Sequence, residues 1–129
     1  MAFKIPEGYQ TVMPYLILEN AEGFFDFTAK VFDAVEKSRY LTEDGSLMHG
    51  EIMIGGSTIM FGNASDRWPV QHAGLYINVA DADTVYKKAL EQGASAVQDM
   101  SDQSYGRTGG IRDPFGNVWW ITTPLVEAS

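Results

Sequence analysis

Two residues that could do acid–base chemistry, His49 and Glu51, lie two positions apart in Leu47–Ile54 (LMHGEIMI), a stretch typical of a β-strand. Alternate residues of a strand point to the same face, so the imidazole and the carboxylate are expected side by side. A neighbouring carboxylate raises the basicity of an imidazole and orients its ring, as in a general base. A hydrogen-bonded histidine with a purely structural role is the alternative for the same pair.

Other catalytic chemistry has little support in the sequence. The 129 residues contain no cysteine, which excludes disulfides, thiol nucleophiles and thiolate metal ligands. There is no Gly-x-Ser-x-Gly elbow, phosphate-binding Gly-x-x-x-x-Gly-Lys loop or Rossmann fingerprint. The second histidine, His72, would complete a metal site with His49 and Glu51 only by folding in from a linker. We therefore predict no metal ligands and no cofactor.

Strand and helix patterns alternate along the chain and would position these groups. Residues 11–18 (TVMPYLIL) predict a first strand, in which Pro14 indicates an edge or a bulge. Asn20 is a candidate cap for a helix rich in phenylalanine. The later predicted elements are strands at 47–54 and 57–61, a loop at 62–71, a strand at 74–79, a helix capped by Asp81 or Asp83 and ended by Gly93, a turn at 113–117 and a strand at 118–122.

An internal repeat organises these elements. A shift of 61 residues places 18–22 over 79–83, the strand-to-helix junctions, and a shift of 60 places 56–60 over 116–120. The repeat predicts an α+β fold of two βαβββ modules, at about 1–66 and 67–129, within a single domain covering 1–129. We expect the modules to form a cup-shaped curved sheet with the helices outside and a ligand site in the concavity.

Charge limits the partners. Lys plus Arg number 9 and Asp plus Glu 17, so the net charge is −8, and the basic residues are scattered. Such a chain repels phosphate backbones, which argues against nucleic acid and favours neutral or cationic small molecules. Residues 1–18 contain Lys4, Glu7 and two prolines and no long apolar run, so we predict no signal peptide, no membrane span and a cytoplasmic location.

Three stretches resemble the vicinal oxygen chelate superfamily, which includes glyoxalase I, extradiol dioxygenases and the fosfomycin and bleomycin resistance proteins. They are 14–18 (PYLIL) leading to Phe27 and Phe32, 49–57 (HGEIMIGGS) and 112–120 (RDPFGNVWW). Together they resemble the PhnB-like branch of that superfamily. The resemblance implies the two-module fold, a small-molecule ligand and a homodimer, and it leaves the chemistry open because this fold hosts many reactions.

The resemblance also locates the family's metal-ligand positions. Metal-dependent relatives carry four ligands, usually His, Glu and Gln, at positions that fall here on Met13, Met60, Gly74 and Trp120. Thioether sulfur is a soft ligand, glycine has no side chain and indole does not ligate metals. We therefore expect no metal at the family site.

Strand parity predicts which side chains line the cup. If the four family positions face inward, that face mixes aromatic, thioether and polar groups, while Trp119 faces a helix. Trp68, on the loop before the second module, and Tyr105 and Arg107, in a polar loop that is either a lid or a solvated connection, are further candidates. The predicted ligand-binding residues are Met13, Tyr15, His49, Glu51, Met60, Trp68, Tyr76, Asn78, Tyr105, Arg107 and Trp120.

These observations predict a metal-free protein of the glyoxalase/bleomycin-resistance type that binds a small aromatic or cationic molecule. The alternative is a lyase, isomerase or dioxygenase-type enzyme that uses a non-standard metal or His49 and Glu51 in acid–base catalysis. A third hypothesis is an interaction module whose cup is filled.

Overall fold

The computed structural model of the chain describes residues 2–126. Contacts divide these residues into two units, one ending at Gln71 and the other beginning at His72. The first unit contains β1 (Tyr15–Leu18), α1 (Glu22–Phe32), β2 (Val35–Leu41), β3 (Leu47–Ile54) and β4 (Ser57–Asn63). The second contains β5 (Gly74–Asn78), α2 (Ala82–Glu91), β6 (Ser95–Gln103), β7 (Gly106–Arg112) and β8 (Val118–Pro124).

Both units have the predicted βαβββ order and one sheet topology. The strand orders are β1-β4-β3-β2 and β5-β8-β7-β6, and the first and last strands of each unit pair in parallel while the others pair antiparallel. The sheets are open, so the α+β fold of two repeated modules is confirmed. The registers repeat as well, because Tyr15 pairs with Met60 in one unit and Tyr76 with Trp120 in the other, at offsets of 61 and 60 residues.

At the start of each helix, a backbone N–H donates a hydrogen bond to a side-chain oxygen on the last strand of the same unit. Ala21 N–H donates to Asn63 Oδ1 at 2.8 Å, and Ala82 N–H donates to Thr123 Oγ1 at 2.7 Å. Asp81, one of the two predicted caps, is the N-cap of α2 and accepts from Thr84 N–H. The prediction that Asn20 caps α1 was wrong, because Asn20 adopts a left-handed φ of 55° and Ala21 is the N-cap.

Apolar side chains on one face of each sheet form the cores. In the first unit, Phe61 packs edge-on against Phe24 and Phe25, with ring centroids 4.8 Å apart in both pairs. In the second, Trp119 is fully buried and its indole N–H donates to Asp113 Oδ2 at 2.8 Å. The predicted parity is therefore confirmed, since Trp119 is 1% exposed and the next residue, Trp120, is 38% exposed.

The motif at residues 112–120 forms a turn around the Asp113 side chain. The carboxylate of Asp113 is buried and accepts from Phe115 N–H, Asn117 N–H, the Asn117 side-chain amide and the Trp119 indole. Asn117 Oδ1 in turn accepts from Ala73 N–H, next to the start of β5. The motif therefore organises the strand ends of the second unit.

Several predicted boundaries were wrong. The first strand begins at Tyr15 rather than residue 11, so Met13 precedes it and Val12 is exposed. The predicted loop that holds Tyr105 and Arg107 is a β-hairpin, formed by β6 and β7 around residues 104–105. The cause is composition, because its Ser-, Asp-, Gln- and Gly-rich strands lack the apolar alternation from which strands are predicted.

Candidate functional site

A row of side chains crosses the open face of the first sheet. Strand register aligns Tyr15 with Met60, Met60 with Glu51, and Glu51 with Ser38. His49 lies two residues before Glu51 on β3 and therefore on the same face. The sheet thus brings together four of the predicted residues: Tyr15, His49, Glu51 and Met60.

Three of these side chains are joined by hydrogen bonds. His49 Nε2 lies 2.8 Å from Glu51 Oε2, and the Tyr15 hydroxyl lies 3.0 Å from His49 Nδ1. The Tyr40 ring, on the neighbouring strand, is 5.9 Å from the imidazole between centroids. The imidazole is therefore held at both nitrogens, between a carboxylate and a phenol.

Glu51 is a buried carboxylate with a second donor, because Tyr9 donates its hydroxyl proton to Glu51 Oε1 at 2.6 Å. Burial tends to raise the pKa of Glu51, but the hydrogen bonds from Tyr9 and His49 outweigh it and hold the pKa below the ordinary value of 4.5. The pKa of Tyr15 is raised, by burial and then by the negative charge of Glu51. At neutral pH Glu51 is ionised and Tyr15 is a protonated phenol.

The segment before β1 lies across part of this face. The Gln10 side-chain amide donates to the Thr58 carbonyl, and Thr58 Oγ1 donates to the Gly8 carbonyl. Lys37 Nζ sits 3.5 Å from the centroid of the Tyr9 ring and is buried, with no hydrogen-bond partner among the described residues. Sequence reasoning missed Tyr9 because it belongs to no periodic element, and nothing local indicates that it reaches Glu51.

A cleft opens beside the hydrogen-bonded group. Its volume is about 360 Å³, and exposed Tyr15, Met48 and Trp68 contribute to its walls. Gly62 forms part of the lining, and a Cβ there would lie 3.6 Å from the Tyr15 hydroxyl. The complete lining is Tyr15, Ile17, Met48, Gly62, Asn63 and Trp68. Tyr15 and Trp68 were among the predicted ligand-binding residues. The other four lining residues were not predicted: Ile17, Met48, Gly62 and Asn63.

The second sheet presents a different open face. Trp120 pairs with Tyr76 on one side and Gly110 on the other, and both aromatic residues are exposed. A Cβ on Gly74 would lie 3.1 Å from the indole, and one on Gly110 would lie 3.6 Å away, so the two glycines make room for it. Asn78 is also exposed and shares the face by strand alternation.

The hairpin holds Tyr105 at its exposed turn and Arg107 at the start of β7. The Arg107 guanidinium donates to Asp83 and Asp102, and those contacts raise its pKa, Asp83 contributing most. The guanidinium thus links α2 to the hairpin of its own unit. A ligand-binding role for Tyr105 and Arg107 stays a prediction.

The residues at the family's metal-ligand positions do not suit a hard metal ion. They are the thioethers Met13 and Met60, the side-chain-free Gly74 and the indole Trp120. Within residues 2–126, no group of three or more His, Cys, Asp or Glu side chains is arranged to hold a metal.

Comparison with known proteins places the chain in a family. Residues 12–121 match the model of the Glyoxalase/Bleomycin resistance protein/Dioxygenase superfamily, and the chain belongs to that superfamily. An uncharacterised protein of Mycobacterium bovis is 33% identical over 128 residues, covering 90% of this chain and 84% of that protein.

Solved structures share the fold. A PhnB protein from Bacillus cereus, described as a putative 3-demethylubiquinone-9 3-methyltransferase, has a TM-score of 0.70 at 18% identity, covering 88% of this chain and 99% of that one. TnmS3, an antibiotic binding protein from Streptomyces sp. CB03234, has a TM-score of 0.71 at 17% identity, covering 97% and 99%. A PhnB-like protein is thus among the structural neighbours, as the sequence predicted.

Proposed function

We propose that the protein binds a small, planar aromatic molecule without a metal ion. The observation that carries the proposal is the cleft in the first unit, where Tyr15, Met48 and Trp68 are 48%, 58% and 55% exposed. Large apolar side chains left in contact with water around one concavity are typical of a ligand site. The antibiotic-binding neighbour with the same fold supports a binding role.

Charge indicates which ligands the cleft favours. The net charge of −8 attracts cations and disfavours molecules that arrive as anions. One face of the Trp68 indole meets the Arg67 guanidinium, 5.4 Å from the ring centroid, so the attraction for cations comes from the net charge of the chain and not from this wall. We therefore expect planar cations and neutral aromatic molecules to bind, and planar molecules with a permanent negative charge to bind more weakly.

Calorimetric titration with 9-aminoacridine, a planar cation, and 7-methoxycoumarin, a neutral planar molecule, tests this proposal. Trp68→Ala should weaken binding about fivefold or more, since it removes one aromatic wall. Leu90→Ala, which truncates an exposed apolar side chain on α2 of the other unit, is the control. Failure of both probes to bind, or equal loss in the two variants, would contradict a site in this cleft.

The metal-free part of the proposal has its own test. The protein is purified from medium supplied with nickel, zinc, manganese and iron, and bound metal is measured by mass spectrometry. We expect no stoichiometric metal, since Met13, Met60, Gly74 and Trp120 offer no hard ligand. One metal per chain would instead favour the lyase, isomerase or dioxygenase alternative.

Location and nucleic-acid binding stay predictions. Among residues 2–126, neither helix has the length and apolar character needed to cross a bilayer. The scattered basic residues still argue against nucleic acid.

A further inference from the structure

The hydrogen bonds of the first unit define where protons reside. An ionised carboxylate accepts but does not donate, so the contact between Glu51 and His49 requires a proton on Nε2. In a neutral imidazole the other nitrogen, Nδ1, then carries a lone pair. With the imidazole in this tautomer, the Tyr15 hydroxyl, 3.0 Å away, donates to Nδ1. The three groups form a chain in which every proton points toward Glu51.

This chain ends at the cleft. Glu51 is buried, the His49 side chain is 21% exposed, and Tyr15 is half exposed and forms part of the cleft wall. The Tyr15 hydroxyl lies near Gly62, where the absence of a Cβ leaves space beside it. A ligand in the cleft therefore meets the phenol oxygen, whose lone pairs accept a hydrogen bond while its own proton is committed to His49.

We propose that Glu51, His49 and Tyr15 form a proton relay that accepts the proton of a phenolic or enolic hydroxyl on the bound ligand. This inference rests on the proposed function, because the aromatic ligand must first occupy the cleft. The ligand O–H bond breaks as its proton forms a bond to the Tyr15 oxygen, and the Tyr15 proton moves to His49 Nδ1. The products are a ligand oxyanion and an imidazolium, so atoms and charge balance.

The surrounding charges favour the transferred state. The imidazolium lies against the Glu51 carboxylate, which Tyr9 also holds in place. The groups that face this cluster are Tyr15 from β1, Tyr40 from β2, Glu51 from β3 and Tyr9 from the leading segment, with Lys37 stacked on the Tyr9 ring. A neutral ligand adds no net charge to a chain of −8, because the proton stays within the complex.

A matched pair of probes tests the relay. 7-Hydroxycoumarin has an ionisable hydroxyl with a distinct absorption for its anion, and 7-methoxycoumarin has the same ring system without that proton. We expect both to bind and the anion of bound 7-hydroxycoumarin to be favoured at least tenfold over its proportion in free solution. Tyr15→Phe and His49→Gln should reduce that preference below twofold. Tyr86→Phe and His72→Gln, the same substitutions in the other unit, should leave it unchanged.

Nitrogen NMR of histidine gives an independent measurement. The chain has two histidines, and His72→Gln assigns the two rings. The free protein should show His49 with its proton on Nε2, and 7-hydroxycoumarin, but not 7-methoxycoumarin, should convert that ring to the imidazolium.

The outcomes separate the two proposals. If 7-methoxycoumarin binds while bound 7-hydroxycoumarin keeps its solution ionisation and His49 stays neutral, the relay is wrong and the binding function stands. If the anion is favoured equally in wild type and in Tyr15→Phe, the cause lies elsewhere and the relay is again wrong. If neither coumarin and no planar cation binds, the binding function fails and the relay fails with it.

Discussion

Adjacent tryptophans show how position alone separates a structural role from a surface role. Trp119 is fully buried and donates to Asp113, whereas Trp120 is 38% exposed above Gly74 and Gly110. Trp119→Ala should lower the free energy of unfolding by roughly 3–5 kcal/mol, the range for truncation of a buried aromatic residue.

Trp120→Ala is the matched control for that measurement. We expect it to cost about 1 kcal/mol, because much of the indole is already in water. Urea unfolding of both variants measures the two costs. Similar losses in the two variants would contradict the assigned strand parity.

Glu51 should make stability depend on pH in a defined direction. Its pKa is lowered below 4.5 in the folded protein, so its stabilising contribution is complete above about pH 4.5 and is lost as the pH falls below that value. Glu51→Gln should therefore be less stable than wild type at neutral pH, and the difference should narrow as the pH falls below 4.5. Denaturant unfolding at several pH values measures this, with exposed Glu43→Gln as the control. A difference that widens in acid would refute the assignment.

At the scale of elements, the pairing of β3 with β4 depends on a close backbone approach at Gly62. A Cβ at this position would lie 2.7 Å from the Met48 carbonyl oxygen, which is backbone and yields only if the strands move apart. We expect Gly62→Ala to destabilise the protein by about 1–3 kcal/mol, the usual cost of overpacking. It should also weaken coumarin binding, because Gly62 forms part of the cleft lining.

Gly56→Ala is the control for Gly62→Ala. A Cβ on Gly56 would meet no atom within 4 Å, so we expect a change within about 0.5 kcal/mol. Thermal unfolding of both variants measures the change in stability, and calorimetric titration measures the change in coumarin binding. Equal stability of Gly62→Ala and wild type would show that the strands accommodate the methyl group.

At the scale of the molecule, the two units share a scaffold and differ in the chemistry of their open faces. Tyr15 and Tyr76 occupy equivalent positions, as do Met60 and Trp120, and the register that pairs Glu51 with Met60 pairs Gly110 with Trp120. The glutamate that completes the hydrogen-bonded group in one unit is thus a glycine that accommodates an indole in the other. The repeat preserved the strand pairing while the side chains diverged.

We also propose that the protein is a homodimer, as the family resemblance implies. Edge strand β2 leaves Val35, Tyr40 and Leu41 more than half exposed within the chain, and unpaired edges favour association. Light scattering at micromolar concentration should give twice the 14.3 kDa chain mass. A mass near 14.3 kDa across that range would contradict the dimer.

The sequence was sufficient to predict the repeat, from its offset of 60 to 61 residues, and the strand parity and the Asp113 turn. The parity and the turn depend on neighbours along the chain: alternation of side chains places Trp119 in the core and Trp120 on the open face, and Asp113 binds groups within six residues. The same alternation placed His49 and Glu51 on one face.

Tertiary structure alone decided which other residues these two contact. Tyr9 and Glu51 are 42 residues apart in the sequence, and Tyr15 and His49 are 34 apart. Contacts between residues so far apart in the chain depend on sheet register and on the path of the leading segment. The polar β6–β7 hairpin likewise forms through pairing with its neighbours rather than through local apolar alternation. Backbone pairing is non-local and nearly independent of side-chain type, so a single sequence predicts the pairing of His49 with Glu51 but not the contact of Tyr15 with His49.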